Sequence, residues 1–152
     1  MSNRKKIIVV DYDPNWAKQF QELSRVLYQH LGSERVKIEH VGSTAIPDLK
    51  AKPVIDLDIV IEDDEAFMQE MISKLRELGY QHVGDLGITG REAFKKASTK
   101  IPDTGSGREW FKHHLYLCKK QSVGLQNHLL FRDYLINHPE KIKAYGQLKQ
   151  RL

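Results

Sequence analysis

Two aspartates, Asp56 and Asp58, interrupt the most apolar run of the chain, "VIDLDIVI" at 54–61. Aspartate is depleted in strands and is seldom fully buried without a partner, so the pair calls for a chemical reason. In a strand, residues i and i+2 point to one side. Asp56 and Asp58 therefore share a face, with Val54 and Val60 at its ends, while Ile55, Leu57, Ile59 and Ile61 take the core side. Same-face neighbours lie about 6.5–7 Å apart along the backbone. From there both carboxylates can converge on one divalent cation, or on two held about 3.5–4 Å apart. Donors of oxygen alone suit Mg2+ or Mn2+. Taken by itself, an Asp-x-Asp pair is more often a hydrated surface feature.

A second feature changes that balance. Gly42-Ser43-Thr44 follows the alternating segment "RVKIEHV" and precedes Asp56 by 14 residues, counted from Gly42. A glycine there lets the backbone come close to a phosphate, and Ser43 and Thr44 add hydroxyl and N–H donors. His40 stands two residues before Gly42, and Lys52 lies in the loop that enters the aspartate strand. Farther on, "HHLYL" supplies His114, which alternation places on one side with Tyr116, while His113 and Leu115 take the other. His114 is the candidate to face the aspartates, and surface imidazoles are the competing explanation for the pair. Arg91, Lys96 and Arg108 flank an expected hairpin and mobile loop, and Arg132 sits in "FRDYL". Arginine grips phosphate bidentately, which favours Arg91 and Arg132 over the lysines. An Arg132–Asp133 structural pair is the alternative.

The elements that must position these residues follow from periodicity. "KKIIVVDYD" reads as a short strand. Asp13-Pro14 reads as a helix start, followed by Trp16, Phe20, Leu23, Leu27 and Leu31 at helical spacing, with Gly32 as the stop. Trp16, Phe20 and Tyr28 are expected in the core. A second helix is expected over 65–78, opened by the acidic "EDDE" and closed at Gly79. "YQHVGD" and "REAFKKAS" read as a hairpin, "TKIPDTGSG" as a turn-rich mobile loop and "WFKHHLYLCK" as the last strand. Cys118 is assigned to the core side of that strand, buried and inert. From Val123 the pattern is helical, broken at His138-Pro139. Strands in succession without intervening helices argue for an α+β fold with a mixed or antiparallel sheet and helices packed mainly on one face.

The blocks "HVGSTAIPDLKAKPVIDLDIVI", "HHLYLC" and "NHLLFRDYLINHPEKIKAYGQLK" together resemble the GrpB family, small proteins of the nucleotidyltransferase superfamily with a polymerase-β-like fold. The resemblance covers nearly the whole chain. It implies one nucleotidyltransferase-like domain over 1–152, with 123–152 as a C-terminal helical extension that in the family usually continues further. It also implies phosphate or nucleotide binding by Gly42, Ser43 and Thr44, with Lys52, Arg91 and Arg132 in support, and metal ligation by Asp56 and Asp58. His40 and Lys96 are further candidates for the pocket. The superfamily's third carboxylate is missing from "HHLYL", which leaves His114 as its stand-in or the site without transfer chemistry. In the family the domain occurs alone or fused to dephospho-CoA kinase, which implies a cytosolic setting.

Composition narrows the remaining choices. The chain has 152 residues, 40% hydrophobic and 29% charged, enough for one domain with its own core. One cysteine excludes an internal disulfide and a cysteine-based zinc site and fits a reducing compartment. The apolar run after "MSNRKK" is four residues, too short for a leader or a membrane span, so the cytoplasm is expected. A net charge of +4 favours a nucleotide or phosphorylated small molecule as partner. Three function classes follow in order: a metal-dependent nucleotidyl or phosphoryl transferase, a non-catalytic domain that binds a nucleotide or a coenzyme-A-like ligand, and an RNA-directed role. RNA ranks last because no aromatic-basic stacking platform is visible.

Overall fold

The computed structural model describes residues 8–151. Among them are five strands and four α-helices: α1 Asn15–Leu31, β1 Lys37–Val41, β2 Ile55–Ile61, α2 Glu65–Glu77, β3 Gln81–Gly84, β4 Arg91–Lys95, β5 His113–Lys119, α3 Val123–Asn137 and α4 Pro139–Arg151. The strands form one mixed sheet in the order β1-β2-β5-β4-β3. β2 and β5 run parallel, and the other neighbours are antiparallel. β5 is thus slotted between β2 and the β3–β4 hairpin, which places His114 directly beside Asp56 and Tyr116 beside Asp58.

Alternation in β2 divides the molecule. Ile55, Leu57, Ile59 and Ile61 are buried with Leu115 and Leu117 of β5, against Trp16, Leu23 and Leu27 of α1 and Phe67, Met71 and Leu75 of α2. That is the main core, and α1 and α2 exist to cover it. Their ends follow local rules. The Asp13 carboxylate accepts the Asn15 N–H at 2.8 Å, Pro14 sets the entry, and Gly32 closes α1 in the left-handed conformation. Asp64 accepts the Phe67 N–H to open α2. The other sheet face carries Glu39, Asp56, Asp58, His114 and Tyr116, and α3 lies across part of it. A small second core of Ile46, Leu49 and Leu135 ties the loop after β1 to α3.

Four expectations are corrected. Of the proposed first strand, residues 5–7 lie outside the described residues, and from Ile8 onward only a single bridge, Val10 to Ala51, is present. The segment lacks a second strand along which to ladder. Cys118 is buried, but on the face of His114 and Tyr116, since it follows them at i+4 and i+2. Tyr28 is not core: 40% of it is exposed, and its hydroxyl accepts the Ile38 N–H at 2.7 Å. The turn-rich loop is tied down, with the Trp110 indole N–H on the Pro102 carbonyl at 2.8 Å and the Asp103 N–H on the Leu78 carbonyl at 2.7 Å.

Candidate active site

Asp56 and Asp58 share one face of β2 but differ in environment. Asp56 is partly exposed, whereas Asp58 is 0% exposed. Each gives one oxygen to an imidazole: Asp56 Oδ1 meets His114 Nδ1 at 2.9 Å, and Asp58 Oδ2 meets His128 Nδ1 at 2.7 Å. Next to a carboxylate, each Nδ1 is the protonated donor. The second oxygens are left for other work. Asp58 Oδ1 is buried and has no hydrogen-bond partner among the described residues. Asp56 Oδ2 faces Gly42, where a Cβ would stand 2.3 Å away. Gly42, at φ 76 and ψ −176, is therefore required twice, for its backbone and for the space it leaves.

After Gly42 the chain turns through a short 3-10 segment, Ser43–Ala45. The turn is clamped from below. Thr44 is buried, its hydroxyl donates to the Val54 carbonyl at 3.1 Å, and it accepts from His40 Nε2 at 3.0 Å. The His40 ring stacks on Phe20 with centroids 4.6 Å apart, and burial pushes its pKa down to about 4, so the ring is neutral. Ser43, Thr44, Lys52, Val54, Asp56 and His114 line one small open cleft of about 130 Å³. Five of the site residues expected from sequence thus meet in one place, with Gly42 and Asp58 adjoining.

The others lie elsewhere. Arg132 is engaged three ways, with Glu39 at 2.7 Å, the His40 carbonyl at 3.2 Å and Asp133 at 2.9 Å. Burial pushes the Glu39 carboxyl up, but its bonds to Arg132 and Lys37 outweigh this and hold it below the usual value. Arg91 lies over the Tyr116 ring at 4.3 Å, two strands from Asp58, and its Nε is buried with no hydrogen-bond partner among the described residues. Lys96 reaches the His113 carbonyl, away from the cleft, and burial lowers its pKa. Arg108 pairs with Glu22 at 2.6 Å. His113 is no surface imidazole. It is 1% exposed, with Nδ1 donating to the Phe111 carbonyl and Nε2 accepting from Tyr80, both at 2.8 Å.

Two residues of this face escape a reading of the sequence. His128 comes from α3, 70 positions from Asp58. Its hydrogen bond to that carboxylate raises its pKa, against the pull of burial. Glu39 stands directly across from Asp58 in the β1–β2 register. Alternation from His40 could have located Glu39. Nothing local marks His128.

The donor set bears on a cation. Among the described residues no group of three or more His, Cys, Asp or Glu side chains is arranged to hold a metal by itself. Two carboxylates with an unpartnered buried oxygen fit a different kind of site, in which Mg2+ keeps its waters and shares ligands with substrate phosphates. Asp56 and Asp58 are the residues that would hold it.

The comparisons agree with this architecture. The family model described as "GrpB protein" matches residues 6–152. The chain belongs to the GrpB family. It is 35% identical to the YqkA protein of Bacillus subtilis over 98% of this chain and 40% of that protein. It is 33% identical to the glutamate-rich protein GrpB of Alkalihalophilus pseudofirmus over 99% of this chain and 83% of that one. The crystal structure of GrpB from Enterococcus faecalis superposes with a TM-score of 0.76 at 33% identity, covering 95% of this chain and 81% of that chain. The chain thus spans well under half of YqkA but most of the GrpB proteins. The Cid1 poly(U) polymerase, crystallised with MgGTP, superposes with a TM-score of 0.63 at 12% identity, over 93% of this chain and 43% of that chain. This likeness fixes the fold as nucleotidyltransferase-like. Among the described residues no helix is long and apolar enough to cross a membrane.

Proposed function

We propose that this GrpB domain is a cytoplasmic, metal-dependent nucleotidyltransferase that moves a nucleotidyl group from a nucleoside triphosphate to a small acceptor. The observation that carries the proposal is Asp58 Oδ1, buried and unpartnered on the same strand face as Asp56, whose own second oxygen lies against Gly42. A buried carboxylate oxygen left without a donor is costly, and a cation removes the cost. When bound, Mg2+ or Mn2+ would neutralise phosphate charge and orient the phosphates at Asp56 and Asp58. Ser43 and the backbone of its turn cradle the terminal phosphates, while the buried Thr44 hydroxyl holds the turn in place from below. Lys52 faces them across the cleft.

His114 takes the role of base. Its Nδ1–H is held by Asp56, so Nε2 carries the lone pair, and half of the side chain is open to solvent. The acceptor hydroxyl attacks the α-phosphorus and passes its proton to His114 Nε2. A new oxygen–phosphorus bond forms as the bond to the β-phosphate oxygen breaks, and pyrophosphate leaves. Arg91 is the cation on this face best able to meet developing charge, since its guanidinium is stacked but not ion-paired in any contact described above.

Isothermal titration with nucleoside triphosphates and Mg2+ tests the proposal, with pyrophosphate release over an acceptor panel as the second measurement. Proteins named dephospho-CoA kinase contain a matching region, 27% identical over 97% of this chain and 40% of the Mycolicibacterium paratuberculosis protein, so the panel starts with dephospho-coenzyme A. Metal-dependent binding in the wild type, lost in Asp56→Ala/Asp58→Ala, is expected. Binding that ignores both the metal and the mutations refutes it. A second reading has its own support, because β5 offers His114 where a third acid would stand and Arg132 holds Glu39. A nucleotide-binding domain without chemistry would bind in the same way but release no pyrophosphate.

A further inference from the structure

His128 and Arg132 are one turn apart on α3 and so project from the same side of the helix. Opposite them, Glu39 of β1 and Asp58 of β2 are directly paired on one rung of the sheet. His128 takes Asp58 Oδ2 at 2.7 Å, and Arg132 takes Glu39 Oε2 at 2.7 Å. Two successive turns of one helix therefore grip two neighbouring acids. The segment read from sequence as an appendage forms a wall of the site.

We propose that His128 is a positioning residue: by holding one oxygen of Asp58 it fixes the carboxylate plane and determines that Oδ1 is the atom offered to a cation. This rests on the cation role of Asp56 and Asp58 proposed above. Asp58 is fully buried, so no solvent molecule at the surface can take over the task of orienting it. Its two oxygens are chemically equivalent until something binds one. His128 supplies that distinction, and Oδ1 remains without a protein partner among the described residues. The Arg132–Glu39 contact anchors the helix at the next turn, so the imidazole is delivered from a docked element. Groups that orient metal ligands from behind typically contribute about ten- to a hundredfold in metal affinity.

The test uses the whole chain and Mn2+ alone, with free Mn2+ followed by electron paramagnetic resonance and folding checked by circular dichroism. The set is wild type, Asp58→Asn, His128→Leu, His128→Asn and His128→Gln. Wild type should bind and Asp58→Asn should not. His128→Leu should weaken Mn2+ binding about ten- to a hundredfold. His128→Asn, whose amide N–H stands near the position of Nδ1, should recover most of that loss, and the longer His128→Gln should not. Should His128→Leu fail to fold, the Asn and Gln variants decide. Equal affinities for those two, or wild-type affinity in His128→Leu, overturn the role of His128 and leave the carboxylate site standing. A wild-type protein that binds no Mn2+ overturns this inference, whereas the function proposed above is decided by metal-dependent nucleotide binding.

Discussion

Gly42→Ala puts the geometry of the cleft at risk through a single added methyl group. The backbone at this position, φ 76 and ψ −176, belongs to a region essentially reserved for glycine, and another residue there costs about 1–3 kcal/mol. The new Cβ would also stand 2.3 Å from Asp56 Oδ2 and 3.2 Å from its Cγ, so the carboxylate must rotate away. Rotation breaks the bond to His114, a further loss of about 0.5–1.5 kcal/mol. The expected total is about 1.5–4.5 kcal/mol. Gly87→Ala is the control, since Gly87 has φ +83 but nothing within 4 Å of an added Cβ. It should cost about 1–2 kcal/mol, the backbone share alone. Urea unfolding followed by the fluorescence of the buried Trp16 and Trp110 measures both. The decisive comparison is a double-mutant cycle with Asp56→Ala, which removes the obstructing carboxylate. In that background Gly42→Ala should cost only its backbone share, about 1–3 kcal/mol. The same cost in both backgrounds would refute the claim that Gly42 makes room for Asp56.

Other perturbations give similarly specific outcomes. Burial holds the His113 pKa at about 4 against an ordinary 6.5, so the unfolded chain binds the proton more readily. Stability is then complete above pH 6.5 and is lost as the pH falls towards 4, by up to about 3 kcal/mol, with His40 adding in the same direction. Urea midpoints between pH 7.5 and 4.5 should fall less steeply in His113→Asn, and parallel slopes would sink this account. Arg132→Met leaves Glu39 with Lys37 alone and should cost about 1–3 kcal/mol, partly recovered by adding Glu39→Gln. Thr44→Val keeps the shape of a buried residue but deprives the Val54 carbonyl and His40 of their partner, and should lower stability by about 1–3 kcal/mol in thermal unfolding.

Much of the site is written locally. Period-two alternation assigns Ile55–Ile61 to two faces, and the glycine before Ser43 marks the turn. The same alternation places His114 on the side of Asp56, and β-strand register then makes them neighbours. Applied consistently it also places Cys118 with His114 and Tyr116 rather than on the core side, since the three stand two residues apart. What alternation cannot supply is the docking of one element on another. His128 reaches Asp58 only because α3 crosses the sheet face, and that crossing depends on a second core built from Ile46, Leu49 and Leu135. Arg132 has the chemistry of a phosphate clamp, but tertiary structure gives its guanidinium to Glu39. The apolar run before Asp11 has strand composition, and composition alone does not provide a neighbouring strand.

The insertion of β5 between β2 and β4 has a consequence for biosynthesis. As the chain leaves the ribosome, β1, β2 and the β3–β4 hairpin are complete long before residues 113–119 arrive to join them. Until then the two halves of the sheet have no shared edge, and β2 exposes backbone donors and acceptors to any passing strand. Closure of that gap, late and between distant parts of the chain, is where folding should be slow and a trapped nascent domain most liable to aggregate. The same event brings His114 beside Asp56, so the cleft is incomplete until β5 arrives.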